Sequence, residues 1–200
     1  MLANHDLEIR GAGDLLGENQ SGKISEIGFN LYHDLLKRTI HAIKNNTKLD
    51  IREALTEEVE ISPGIACIIP DTYLQDVHER LIIYKRIASA DNEEELKELK
   101  IEMIDRFGAL PDSTSNLFES TSLKNYSNDI GILKINIYDE KAEITLKEKN
   151  NIDTSKIINL IQTNPQQFRL KNQNTLVINE SMEPDLSRIS KISKLLSTLV

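Results

Sequence analysis

Two groups of residues in this chain of 200 residues have types and spacings that could do chemistry. The first is Arg10 with Gln20, set among Gly11, Gly13, Gly17 and Gly22 in the segment DLEIRGAGDLLGENQSG, residues 6–22. A guanidinium fork and a double-ended amide can hold a hydrogen-bond network in one state of a partner site and exchange partners in another. The glycines permit backbone conformations closed to other residues, so the segment is expected to be a shaped loop. The same arginine could instead pin that loop to Glu8 or Asp14, a structural role common to loop arginines. The second group is acidic: Glu94, Glu98, Glu102 and Asp105, with Ile101 among them. At ~100° per residue these carboxylates share a helical stripe of about 80°, opposite Leu96, Leu99, Met103 and Phe107. Such a stripe is either a solvated face or, with an apolar anchor ringed by like charges, a surface for arginines.

Other chemistries find no support in the sequence. Gly11, Gly13 and Gly17 read GxGxxxG, one residue longer than the dinucleotide fingerprint, and no buried strand precedes them. No GxxxxGK[ST] is present, so no phosphate-cradling loop is expected in this chain. His5, His33, His41 and His78 show no metal-ligand spacing. The single cysteine, Cys67, sits in the apolar run IACII and reads as a small core residue, which excludes an internal disulfide and fits a reducing cytoplasm. No run approaches a membrane span, and the start lacks a signal-peptide layout.

The net charge of −8 is unevenly placed. Residues 1–56 carry 7 basic and 8 acidic side chains, and residues 112–200 carry 11 of each. Residues 57–111 carry 6 basic and 13 acidic side chains, so the excess lies there. A phosphate-binding domain would have the opposite sign, which makes the chain by itself a weak nucleic-acid binder. The acidic third suits a basic protein surface instead.

The elements that must position these groups follow from periodicity. A helix is expected over 28–44, then a polar linker over 47–58. EVEISPGIACIIP reads as extended with a turn at Pro63-Gly64. A helix from an Asp71 cap to Ala90 would bury Leu74, Val77, Leu81, Tyr84 and Ala88, with Lys85 and Arg86 pairing with neighbouring acids. Asn92 and Glu95 form a capping box for the acidic helix, which Gly108 and Pro111 stop. A weaker helix over 113–129, a hairpin around Asp139-Glu140-Lys141, a helix over 153–163, a strand over 175–179 and a helix over 184–199 complete an α+β domain.

The string Arg-Gly-Ala-Gly, Leu-Leu-Gly, Gln-Ser-Gly at Arg10–Gly22 resembles the motif that follows the last helicase motif in the RecG and transcription-repair coupling factor families. In those superfamily 2 DNA translocases it couples ATP hydrolysis to movement on double-stranded DNA. LIIYKRIASADNEEEL and IEMIDRFGALP resemble the C-terminal domain of the coupling-factor family. The resemblance implies that residues 1–56 are the translocation-motif tail of the second motor lobe and 57–200 the C-terminal regulatory domain. It implies an ATP- and Mg-dependent motor upstream, in a parent that binds duplex DNA, releases stalled RNA polymerase and recruits excision repair through UvrA. No cofactor is expected within the chain. Glu94, Glu98, Ile101, Glu102 and Asp105 would face the parent's UvrB-like domain and mask its UvrA-binding surface. The alternative, an independent acidic adaptor domain, requires no motor at all; no nucleophile–base or metal arrangement supports a third class, an enzyme in its own right.

Overall fold

The computed structural model describes residues 59–183 and 185–200. The glycine segment with Arg10, Gln20, Gly11, Gly13, Gly17 and Gly22, and the helix expected over 28–44, lie outside the described residues. In chain order the elements are β1 (Glu60–Ser62), α1 (Val77–Ala88), α2 (Glu93–Phe107), α3 (Asp112–Asp129), β2 (Ile132–Ile137) and β3 (Lys141–Leu146). Then come α4 (Thr154–Thr163), β4 (Phe168–Asn172), β5 (Thr175–Asn179) and α5 (Asp185–Leu199). The strands form one mixed sheet in the order β1-β2-β3-β5-β4, with β1 parallel to β2 and the other pairs antiparallel. The fold is α+β, as expected.

Register explains why the sheet buries one face. Ile137, Ala142, Ile178 and Phe168 are aligned across β2, β3, β5 and β4, and Ile135, Ile144 and Leu176 form the next row. All are buried, against Leu123 of α3 and Ile189, Ile192 and Leu196 of α5. The period of two in LKINIY and AEITLK is the source of this, since alternate side chains point to one side of a strand. β4 has no counterpart among the expected elements. Only Phe168 of its five residues is buried, and an edge strand of the type Arg-Leu-Lys-Asn carries no alternation to find.

A second, smaller core joins α1 and α2 to the first half of α3. It contains Ile69, Leu74, Ile83, Ile87, Leu96, Leu99, Met103 and Phe118. The apolar stretch after Gly64, expected to be extended, is part of no strand. Its backbone is held instead by the start of α3: Ile68 N–H donates to the Ser113 carbonyl (3.2 Å), Thr114 Oγ1 to the Ile68 carbonyl (3.1 Å), and Asn116 Nδ2 to the Ala66 carbonyl (3.3 Å). Thr114 and Asn116 are both buried, so these bonds satisfy groups that would otherwise be costly to bury. Gly64 sits at φ +70°, and a Cβ there would meet the Ile137 carbonyl oxygen at 2.5 Å.

α1 departs from its expected form. It starts at Val77 behind an Asp76 cap, whose carboxylate accepts from Glu79 N–H (2.8 Å), while Asp71–Tyr73 form only a turn. Its buried residues are Ile83 and Ile87, with Tyr84 beside them; Val77, Leu81 and Ala88 are exposed. The run Leu81-Ile82-Ile83-Tyr84 points apolar groups in every direction around the helix, so periodicity could not select the face. The selection is tertiary: the Ile69 N–H bonds to the Tyr84 hydroxyl at 2.6 Å and turns that side of α1 inward.

Candidate docking face on helices α1 and α2

α2 is set at both ends by its own sequence. Asn92 accepts from Glu95 N–H (2.9 Å), a donor orphaned at the helix start, and Glu95 reaches back to Asp91 N–H (3.1 Å), one residue before the cap. Glu93, Glu94 and Glu95 in the first turn also complement the helix dipole. Gly108 ends the helix at φ +88°. Leu96, Leu99 and Met103 are buried, and Met103 is wholly so. This fixes the rotation of α2 and leaves Glu94, Glu98, Ile101 and Asp105 exposed, as the helical stripe predicts.

Glu102 lies nearest the edge of that stripe, some 60° from Leu99 at ~100° per residue, and it meets α1. Arg86 of α1 grips it with two bonds, Nη1 to Oε1 at 2.8 Å and Nη2 to Oε2 at 2.6 Å. Arg106, one turn further along α2, adds Nη1 to the same Oε1 at 3.0 Å and pairs through Nη2 with Glu79 of α1. The Arg106 guanidinium also lies over the Phe107 ring, 4.7 Å from its centroid. Hydrogen bonding from Arg86 first, and then Arg106, holds the Glu102 carboxyl at a pKa of about 2. The Arg86 guanidinium is shifted upward by the same bond. Glu79, Arg86, Glu102 and Arg106 thus form an ion-pair ladder stapling α1 to α2.

The structure therefore divides the acidic stripe in two. Among the described residues, Glu94, Glu98 and Asp105 form no ion pair and project freely, whereas Glu102 is already engaged inside the domain. The partner of Arg86 lies sixteen residues away on another helix, and Lys85 beside it is exposed without an ion pair among the described residues. Local spacing could not have found this ladder. A sequence sign existed in the alternation of acids and arginines along both helices, but it fits i,i+4 pairs equally well.

Exposed aliphatic side chains also occur on both helices. Ile101 is 50% exposed, Ile104 42% and Ile82 44%, with Leu81 and Val77 further around α1. Contiguous exposed apolar patches rimmed by polar groups mark interaction surfaces, whereas single exposed aliphatic residues are ordinary. No group of His, Cys, Asp and Glu that could hold a metal occurs among the described residues. Cys67 is half-buried, and burial, with the nearby Glu119 charge second, pushes its thiol pKa up, away from nucleophilic use. No helix among them is long and apolar enough to cross a membrane.

Residues 64–157, which include the whole of this face, match the family model described as the TRCF domain. That stretch of the chain is similar to the TRCF domain. The match extends beyond the domain. The transcription-repair-coupling factor of Escherichia coli K12 is 38% identical over 198 residues, 99% of this chain and 17% of that protein. The Haemophilus influenzae transcription-repair-coupling factor is 38% identical over the full chain and 17% of its own length. That of Buchnera aphidicola from Acyrthosiphon pisum is 34% identical over 99% of the chain and 24% of the relative. The chain thus spans between a sixth and a quarter of these relatives. Among solved structures, the crystal structure of the C-terminal domain of transcription-repair coupling factor superposes with a TM-score of 0.54. It covers 71% of this chain and 96% of the other at 22% identity, a likeness of fold. The fold described here is therefore a known architecture.

Proposed function

We propose that this chain is the C-terminal part of a transcription-repair coupling factor and works in two sections. Residues 1–56, with Arg10 and Gln20, couple ATP hydrolysis in an upstream Mg-dependent motor to movement on double-stranded DNA. Residues 57–200 regulate that motor and its contacts with repair proteins. The observation that carries the proposal is the continuous similarity to coupling factors over 99–100% of the chain, through both sections. An independent adaptor would need to match only in its own domain.

The regulatory section acts by docking. Asp105, Glu98 and Glu94 present uncompensated negative charge, Ile101 supplies an apolar anchor between them, and Glu102 stands at the margin. This suits an arginine-bearing surface on the parent's UvrB-like domain, which would cover that domain's UvrA-binding side. Charge complementarity would speed the encounter and fix its register, while the apolar anchor would slow release. The parent as a whole would then release stalled RNA polymerase and recruit excision repair only when the docked state opens.

The test is made in a full-length coupling factor that contains this region. Asp105→Lys with Glu98→Lys should raise UvrA binding several-fold, because losing even part of an allosteric coupling of ~1–3 kcal/mol shifts the populations by that amount. Unchanged UvrA binding in a folded protein would return the stripe to being a solvated face. Glu102 is the wrong residue to reverse. Its replacement by a cation would set three positive groups together and break the α1–α2 staple as well.

A further inference from the structure

The Arg86–Glu102 contact bears on how selective the docking face is, a role that rests on the docking function proposed for α2. We infer that Arg86 is an internal competitor for the cation that Glu102 would otherwise bind, and so sets how tightly an arginine-bearing partner is held. A carboxylate offers about four lone-pair directions. Arg86 takes one on each oxygen, at 2.8 and 2.6 Å, and Arg106 takes a second on Oε1, at 3.0 Å. One direction on Oε2 is left. A guanidinium binds carboxylates best through two parallel bonds, so an incoming arginine cannot fork onto Glu102 until Arg86 gives up its place.

Exchange is feasible because the pair is exposed. The Arg86 and Glu102 side chains are 46% and 35% exposed, and ion pairs in such positions are held weakly. Arg106 is a less effective obstacle, since it makes one bond to Glu102 and is itself drawn to Glu79. Glu94, Glu98 and Asp105 have no competitor of this kind among the described residues. The face therefore offers three carboxylates that bind without exchange and a fourth that binds only by exchange. Because Arg86 stands on α1 and Glu102 on α2, a partner that captures Glu102 also opens the staple between the two helices. Arg86 is in this sense a specificity-determining residue, favouring partners with enough arginines to satisfy the other three first.

The experiment is a calorimetric titration of this chain against the purified UvrB-like domain of the Escherichia coli coupling factor. Arg86→Gln should bind roughly two- to fivefold tighter, the size expected for one exposed charge pair. Arg86→Lys, a one-point competitor that keeps the charge, should fall between the two. Adding Glu102→Gln to Arg86→Gln should cancel the gain. Lys85→Gln makes the same change of charge away from Glu102 and should give a smaller gain. Binding by Arg86→Gln that is no tighter than wild type, or a gain that survives Glu102→Gln, overturns the inference. Asp105→Asn and Glu98→Gln test the docking function separately: if they weaken binding while Arg86→Gln does nothing, docking stands and competition falls. If neither weakens binding, the docking function fails and the inference fails with it.

Discussion

Arg86 and Glu102, sixteen residues apart in the chain, meet through two parallel hydrogen bonds of 2.8 and 2.6 Å that join α1 to α2. Each helix is amphipathic alone, but this contact lies on neither buried face. It sits at the edge where the two helices part from each other and the acidic stripe begins. Its position gives Glu102 a structural role within the domain.

A depressed carboxyl pKa makes the ladder sensitive to acid. The Glu102 value falls from 4.5 to about 2 on folding, so its stabilising contribution is complete above pH 4.5 and is lost as the pH falls toward 2. Denaturation followed by circular dichroism across that window should show stability declining, with Glu102→Gln removing part of the slope. Exposed pairs typically contribute about 0.2–1 kcal/mol each, and that is the size expected for the difference above about pH 5. An identical slope in the variant would show that other carboxylates govern the acid transition.

The two sides of α2 should respond oppositely to truncation. Met103 is wholly buried, and Met103→Ala should cost about 2–5 kcal/mol through lost contacts and a residual cavity. Asp105→Ala, on the exposed side, should stay within about 0.5 kcal/mol of wild type. Urea unfolding of the two variants measures both. A large loss for Asp105→Ala would mean that the face is already occupied within the chain.

Gly64 joins the sheet to the smaller core under tight constraint. It adopts φ +70°, its carbonyl accepts from Arg188 Nη1 at 3.4 Å, and Arg188 Nη2 bonds Asp139 in the β2–β3 turn at 3.1 Å. Gly64→Ala should destabilise by about 1–3 kcal/mol, since a left-handed alanine is strained and its Cβ would press on the Ile137 carbonyl. Chemical denaturation reads this directly, and a neutral result would show that the turn can relax.

For residues 1–56 the expectation is functional. Arg10→Ala or Gln20→Ala in a full-length coupling factor should leave ATP turnover largely intact while triplex displacement or polymerase release falls at least several-fold. Equal loss of both activities, measured on the same preparation, would assign these residues to hydrolysis or folding.

Much of the fold is legible because the strands alternate cleanly. LKINIY and AEITLK set their buried face with a period of two, and the helices α2, α4 and α5 carry their own start signals or spacing. The face of α1 is not legible, because four consecutive apolar residues leave the choice to Tyr84 and its bond with Ile69. β4 is hidden by its exposure at the sheet edge. The rotation of α2, and hence the projection of Glu94, Glu98, Ile101 and Asp105, can be read from Leu96, Leu99 and Met103. That Glu102 is tied to Arg86 cannot, since nothing local relates residues sixteen positions apart on two helices.

Docking itself is tested most directly by titrating this chain into the UvrB-like domain of the Escherichia coli coupling factor, with wild type compared to the Glu98→Lys, Asp105→Lys double variant. The two proteins should bind saturably, more weakly as salt rises because exposed charges are screened. The double variant should lose at least tenfold in affinity with an unchanged melting temperature. Equal affinity for a folded double variant would contradict docking through the acidic face of α2.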